Sequence, residues 1–129
     1  MVEKLLEILI VDDNLDFASS LKNILEFKGY NTTVAGDEQT TLILGREKAF
    51  DLAIIDTKLP DISGEKLVEK LSKLSSRTEY IITGQALLET ANEAMRQRQV
   101  IAYETKPLNM DRLLAIITQV AECKQTEEV

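Results

Sequence analysis

Five runs of strand length, apolar or β-branched, alternate with stretches of helical periodicity along the whole chain, and that alternation leaves few folds open. The runs are Ile8 to Val11, Asn31 to Ala35, Leu52 to Ile55, Tyr80 to Ile82 and a looser one, Val100 to Tyr103. After the first, Phe17, Ala18, Leu21, Ile24 and Leu25 recur at helical spacing, and Gly29 follows as a stop. Asp37 or Thr40 opens a second helix near Leu42 to Lys48, although Gly45 weakens it. A Leu59-Pro60 loop and Gly64 precede a third helix with Leu67, Val68, Leu71 and Leu74 on one face. Ala86 to Gln97 reads as a further helix with a thin apolar face of Leu87, Leu88, Ala91, Ala94 and Met95. Asn109 caps a last helix carrying Leu113, Leu114, Ile117, Val120 and Ala121. Repeated β-α units of this kind predict an α/β fold, a parallel sheet covered by helices on both faces.

A chain of 129 residues suits one domain with a core of its own. The apolar pattern stops at Ala121, which predicts a domain over 1–121 and a tail, or the start of a linker, over 122–129. A net charge of -7 argues against a nucleic-acid surface, because phosphate binding needs clustered Lys and Arg. Cys123 is alone, so no internal disulfide or Cys-based zinc site forms. Histidine is absent, which removes Ser-His-Asp and Cys-His mechanisms together with most transition-metal sites. The apolar stretch near the N-terminus is interrupted by Glu7 and ended by Asp12, too short to span a bilayer, and it lacks a signal-peptide cleavage pattern. The cytoplasm is the expected location, with no membrane partner.

Polar residues sit where the apolar runs end: Asp12-Asp13, Asp56, Thr83 and Lys106-Pro107. If the strands are parallel neighbours, all of these meet at one edge of one sheet, the edge where open α/β sheets bind ligands. Taken singly, each is ordinary turn or cap chemistry. Their conjunction at the ends of successive strands is not, and it points to a site for a divalent cation and a phosphoryl group. Magnesium prefers oxygen ligands, and Asp13 and Asp56 are plausible direct ones, with Asp12 acting directly or through water. An Asp carboxylate is also able to act as a nucleophile on phosphorus. Lys106 would pair with phosphoryl oxygens, the Thr83 hydroxyl would donate to them, and Gly84 would let the backbone approach closely.

With Ile8-Leu9-Ile10-Val11-Asp12-Asp13-Asn14, Asp56-Thr57-Lys58-Leu59-Pro60, Gly64, Thr83-Gly84 and Tyr103 three residues before Lys106-Pro107, the chain resembles the receiver domain of two-component response regulators. The resemblance runs from Leu5 to about Ala121. It implies a flavodoxin-like (βα)5 doubly wound sheet with strand order 2-1-3-4-5. Asp56 matches the phosphoacceptor, Asp12 and Asp13 the acidic pair that holds magnesium, and Lys106 the amine. Thr83 matches the switch hydroxyl and Tyr103 the switch aromatic, which is expected to turn inward on phosphorylation. The backbone carbonyl of Lys58 is implied as a further metal ligand, the bond before Pro107 as cis, and Lys58 and Gln85 as residues that tune hydrolysis. The donor would be the phosphohistidine of a sensor histidine kinase or histidine phosphotransfer protein, and a downstream protein or output domain would read the result. A phosphorylation-linked dimer is open.

The family's members are not conventional enzymes, but they catalyse their own phosphotransfer and slow aspartyl-phosphate hydrolysis. Other classes fare worse. A flavin or nucleotide binder lacks any G-x-x-x-x-G-K-[ST] or G-x-G-x-x-G. A metal-dependent phosphohydrolase needs a substrate cap for which this chain has no spare segment. An interaction module that never accepts phosphate would not need the intact set of site residues.

Overall fold

The computed structural model describes residues 6–85, 92 and 95–127. The elements in chain order are β1 (Glu7–Val11), α1 (Leu15–Phe27), β2 (Asn31–Ala35), α2 (Glu38–Glu47), β3 (Leu52–Asp56), α3 (Gly64–Leu74), β4 (Glu79–Gly84), β5 (Val100–Thr105) and α4 (Met110–Glu127). All neighbouring strands are parallel, and their order is β2-β1-β3-β4-β5. This is the parallel sheet that the alternation of elements predicts, in the strand order that the resemblance implies. The helix expected over Ala86 to Gln97 lies largely outside the described residues. α4 continues to Glu127, beyond the Ala121 where the apolar pattern stops. Among the described residues, no helix is long and apolar enough to cross a membrane.

Strand alternation sends side chains to two cores. Leu9, Val11, Ala53, Ile55 and Ile82 pack with Leu67, Val68 and Leu71 of α3 on one face. Ile8, Ile10, Leu52, Ile54 and Ile81 pack with Ala18, Leu21 and Leu25 of α1 and with Leu113, Ile117 and Val120 of α4 on the other. The central strand β3 is buried at every position, hence its unbroken apolar run. Two residues of the expected helical faces fall outside the core: Ile24 is 38% exposed and Leu74 44%. Each stands at the margin of its helix's apolar stripe.

Local chemistry explains the helix starts. Asn14, Ser63 and Asn109 each accept from a backbone N–H three residues on, at 3.1, 3.3 and 3.1 Å. Asp37, not Thr40, opens α2, accepting from the Thr40 N–H at 2.8 Å. Gly45 does not break that helix. A Cβ there would stand 3.0 Å from Leu71 Cδ2 and 3.4 Å from Leu74 Cδ1, so the glycine lets α2 lie close against α3.

The looseness of the last apolar run has a structural cause. Tyr80 pairs with Val100, but Ile81 pairs with Ala102, so Ile101 is an extra residue in β5. Val100 and Tyr103, an odd number of positions apart, therefore face the same core.

Candidate functional site

Parallel register brings the strand ends together. Asp12 follows β1, Asp56 closes β3 and lies directly beside Thr83 of β4, and the Lys106 N–H after β5 donates to the Gly84 carbonyl at 2.8 Å. Carboxylate oxygens of Asp12, Asp13 and Asp56 lie within 4.8 Å of one another. Asp12 and Asp56 are only 2% and 8% exposed, whereas Asp13 faces solvent. The Lys106 ammonium stands 2.9 Å from Asp12 Oδ2 and 3.4 Å from Asp56 Oδ2. It also sits 5.0 Å above the Phe17 ring, a cation–π contact that helps to aim it. Thr83 is buried, at 1% exposure.

The charges strain one another. Burial pushes the Asp56 carboxyl above the ordinary aspartate value, and the charge of Asp12 adds to the push. The Lys58 N–H, which donates to Asp56 Oδ1 at 3.3 Å, and the Lys106 ammonium pull against it. Burial works against the Lys106 ammonium too, but the hydrogen bond and charge of Asp12, with Asp56 behind them, leave its pKa above the ordinary lysine value. One lysine does not neutralise three carboxylates, so the cluster favours a further cation. An all-oxygen donor set of this kind suits a hard divalent ion such as magnesium.

The structure thus brings Asp12, Asp13, Asp56, Thr83 and Lys106 to one edge, and the bond before Pro107 is cis. The Lys58 side chain is exposed beside them. The Thr57 N–H is bonded to the Thr83 carbonyl at 2.8 Å, and the Lys58 N–H is the one that faces Asp56. Gly84 makes room for side chains as much as for any ligand, since a Cβ there would collide with Thr57 Oγ1 and lie 2.8 Å from the Tyr103 hydroxyl. That hydroxyl donates to the Gln85 carbonyl at 2.8 Å, and the ring packs against the α3-side core. Phe17 and Thr57 were legible as a core residue and a motif residue, and nothing in their spacing signalled these contacts.

Residues 8–118 match the family model described as the response regulator receiver domain. The chain belongs to the response regulator receiver family. A response regulator receiver protein from Anaeromyxobacter sp. (strain Fw109-5) is 33% identical over 106 residues, which cover 82% of this chain and 44% of that protein. This chain therefore spans less than half the length of that relative. A CheY-like receiver domain protein from Methanospirillum hungatei JF-1 superposes with a TM-score of 0.87 at 36% identity, covering 98% of this chain and 100% of that one. A response regulator from Burkholderia pseudomallei, whose structure has a phosphorylated aspartic acid, a calcium ion and citrate, superposes at 0.81 with 29% identity, over 96% of this chain and 73% of that one. The receiver shares with them the flavodoxin-like fold.

Proposed function

We propose that this receiver is a phosphorylation-dependent switch that accepts a phosphoryl group on Asp56 from a partner's phosphohistidine. The observation that carries the reading is the gathering of Asp12, Asp13 and Asp56, with the Lys106 ammonium beside Asp12 and Asp56 and with Asp56 at the end of the central strand. The phosphorylated aspartic acid and calcium ion in the Burkholderia relative support it by analogy. A carboxylate oxygen of Asp56 attacks phosphorus. The P–O bond forms as the P–N bond breaks, the electron pair leaves on the imidazole nitrogen, and Asp56 carries an acyl phosphate. Lys106 pairs with the phosphoryl oxygens and the Thr83 hydroxyl donates to them. Later, water attacks phosphorus, the bond to the Asp56 oxygen breaks, and inorganic phosphate leaves. Asp12, Asp13, Asp56 and the Lys58 carbonyl would hold magnesium, which when bound relieves the carboxylate repulsion and neutralises phosphoryl charge. A sensor histidine kinase or histidine phosphotransfer protein in the cytoplasm would supply the phosphoryl group. A downstream protein or output domain would read Thr83 and Tyr103 through the surface around β5.

Incubation with magnesium and acetyl phosphate should add one phosphoryl mass that hydroxylamine removes; no gain in intact mass would refute the reading. Asp13→Ala should lose this gain with Asp56 intact. It should also weaken magnesium binding by about tenfold or more, since outer-shell changes alone cost that much. An unchanged magnesium titration would remove Asp13 from the metal site.

Phosphoryl lifetime offers a third test. We expect the Lys58 side chain, which is exposed, to crowd the water that attacks the acyl phosphate, while Gln85 has no carboxylate to take its proton. Lys58→Ala and Lys58→Asn are expected to shed the phosphoryl group faster, by roughly threefold, the scale of an exposed charge. Slower decay would mean that Lys58 stabilises the transition state, and equal rates would return it to solvent.

A further inference from the structure

The Lys106 ammonium is held from two sides, and one of them is an aromatic ring. Backbone fixes where the residue begins, because its N–H donates to the Gly84 carbonyl at 2.8 Å. A flexible four-carbon stem separates that anchor from the charge, so the main chain does not aim the ammonium. On one side stand the carboxylates of Asp12 and Asp56, at 2.9 and 3.4 Å. On the other lies the Phe17 ring, its centroid 5.0 Å from Nζ, within reach of a cation–π contact. Phe17 is half-buried and packs against the core shared with α1. The cap of α1 ties it to the same carboxylate. The Asn14 N–H donates to Asp12 Oδ1 at 2.9 Å, and Asn14 Oδ1 accepts from the Phe17 N–H at 3.1 Å. Since Asp12 Oδ2 accepts from Lys106, the contacts close on themselves, from Asp12 through Asn14, Phe17 and Lys106 back to Asp12.

We propose that Phe17 is a positioning residue that keeps the Lys106 ammonium beside Asp56 before any phosphoryl group arrives. Its effect on rate rests on the phosphoryl chemistry proposed above; the placing of the ammonium does not. A divalent cation held by Asp12 and Asp56 would draw on the same carboxylate charge that attracts Lys106, and the ring is the contact such binding leaves unchanged. Without the ring's pull, the stem gains freedom and the ammonium spends less of its time within reach of a phosphoryl group on Asp56. The ring therefore acts on the rate of transfer more than on the stability of the fold.

Fluorination separates the ring's charge distribution from its shape. Phenylalanine carrying one, two or three fluorines weakens the negative face of the ring while keeping its packing. The chain has three phenylalanines, so the fluorinated residue is placed at position 17 alone. With magnesium and acetyl phosphate, the rate of phosphoryl uptake, followed by intact mass, should fall stepwise along the series. The fall should reach about threefold at three fluorines, the scale of an exposed cation–π contact. In a Lys106→Gln background the same fluorination should change nothing further, because the ring acts through that ammonium. A rate that stays level or rises along the series, or a fall that persists in Lys106→Gln, would overturn the role. A second readout needs no phosphodonor. The εCH2 proton signals of Lys106, identified by their loss in Lys106→Arg, should lie upfield of those of solvent-facing lysines and move toward them as fluorines are added. Signals at the ordinary lysine position in the wild type would overturn the placing. If the wild type takes no phosphoryl group from acetyl phosphate, the proposed function fails, yet these signals still decide whether Phe17 holds the ammonium.

Discussion

Asp56→Asn is expected to take up no phosphoryl group from acetyl phosphate and, in magnesium-free buffer at neutral pH, to melt at a higher temperature than the wild type. The first outcome follows from the loss of the carboxylate proposed as nucleophile at the end of β3. The second follows from the strain in the cluster. The Asp56 carboxyl is raised above the ordinary aspartate value, chiefly by burial, with the charge of Asp12 adding to it. A group raised in the folded state supports the fold below its unfolded pKa, and this support is lost as pH rises through the raised value. At neutral pH the charged Asp56 therefore works against the fold, and an amide of the same shape does not. The gain of Asp56→Asn should shrink as pH falls through the raised value and be gone below the ordinary aspartate range. It should shrink again when magnesium is added, because a bound cation removes the same penalty from the wild type. Melting curves over pH with and without magnesium, beside intact-mass measurement, check both arms. A phosphoryl gain that persists in the variant would move the acceptor elsewhere. A variant less stable than wild type in metal-free neutral buffer would show that the cluster is not strained.

Gly64→Ala should be the most damaging single-methyl change in this receiver. A Cβ at that position would lie 2.5 Å from the Asp56 carbonyl oxygen, 3.0 Å from Thr57 Cα and 3.1 Å from the Asp56 carbonyl carbon. All three atoms are backbone, and no rotamer change moves them aside. The same glycine donates its N–H to the Thr57 carbonyl at 2.9 Å, so the start of α3 is fastened to the strand end that bears Asp56. Forcing the two apart is expected to cost about 3 kcal/mol, the upper part of the range for overpacking. In a domain of this size that lowers the melting temperature on the order of 10 °C. It should also slow phosphorylation, since Asp56 and Thr57 must shift. Gly36→Ala is the control: its Cβ would meet Leu15 Cδ2 at 3.6 Å and the Asp12 carbonyl at 3.9 Å, both ordinary contacts. Equal melting temperatures for the two variants would show that α3 yields without cost.

Much of this molecule is legible in the order of its residues because the relevant information is local. A run such as Leu52 to Ile55 is apolar without alternation because both faces of β3 are covered, and the acidic residue after it marks where the apolar core gives way to the polar cluster. The same reasoning places Asp12-Asp13, Thr83 and Lys106 at strand ends, and parallel pairing alone then brings them to one edge. Helix positions follow from spacing and caps, with errors at the margins: Ile24 and Leu74 have the right period but remain partly exposed. Gly45 misleads for the opposite reason. Helix propensity counts the missing side chain as a loss, whereas the close approach of α2 to Leu71 and Leu74 requires it.

The sequence by itself determined the alternation of elements, the polar residue at the end of each strand and the membership of a family that these residues carry. Tertiary structure decided which of those groups are buried, which cations reach them and which way the ring of Tyr103 faces. Asp12 and Asp13 are adjacent and chemically identical, yet one is enclosed beneath Lys106 and the other faces water. The extra residue at Ile101 turns Tyr103 onto the same face as Val100, which no count of alternating positions foretells. The physical reason is common to both. Periodicity fixes side-chain direction within one element, but register between elements is fixed only when both faces of the sheet have packed.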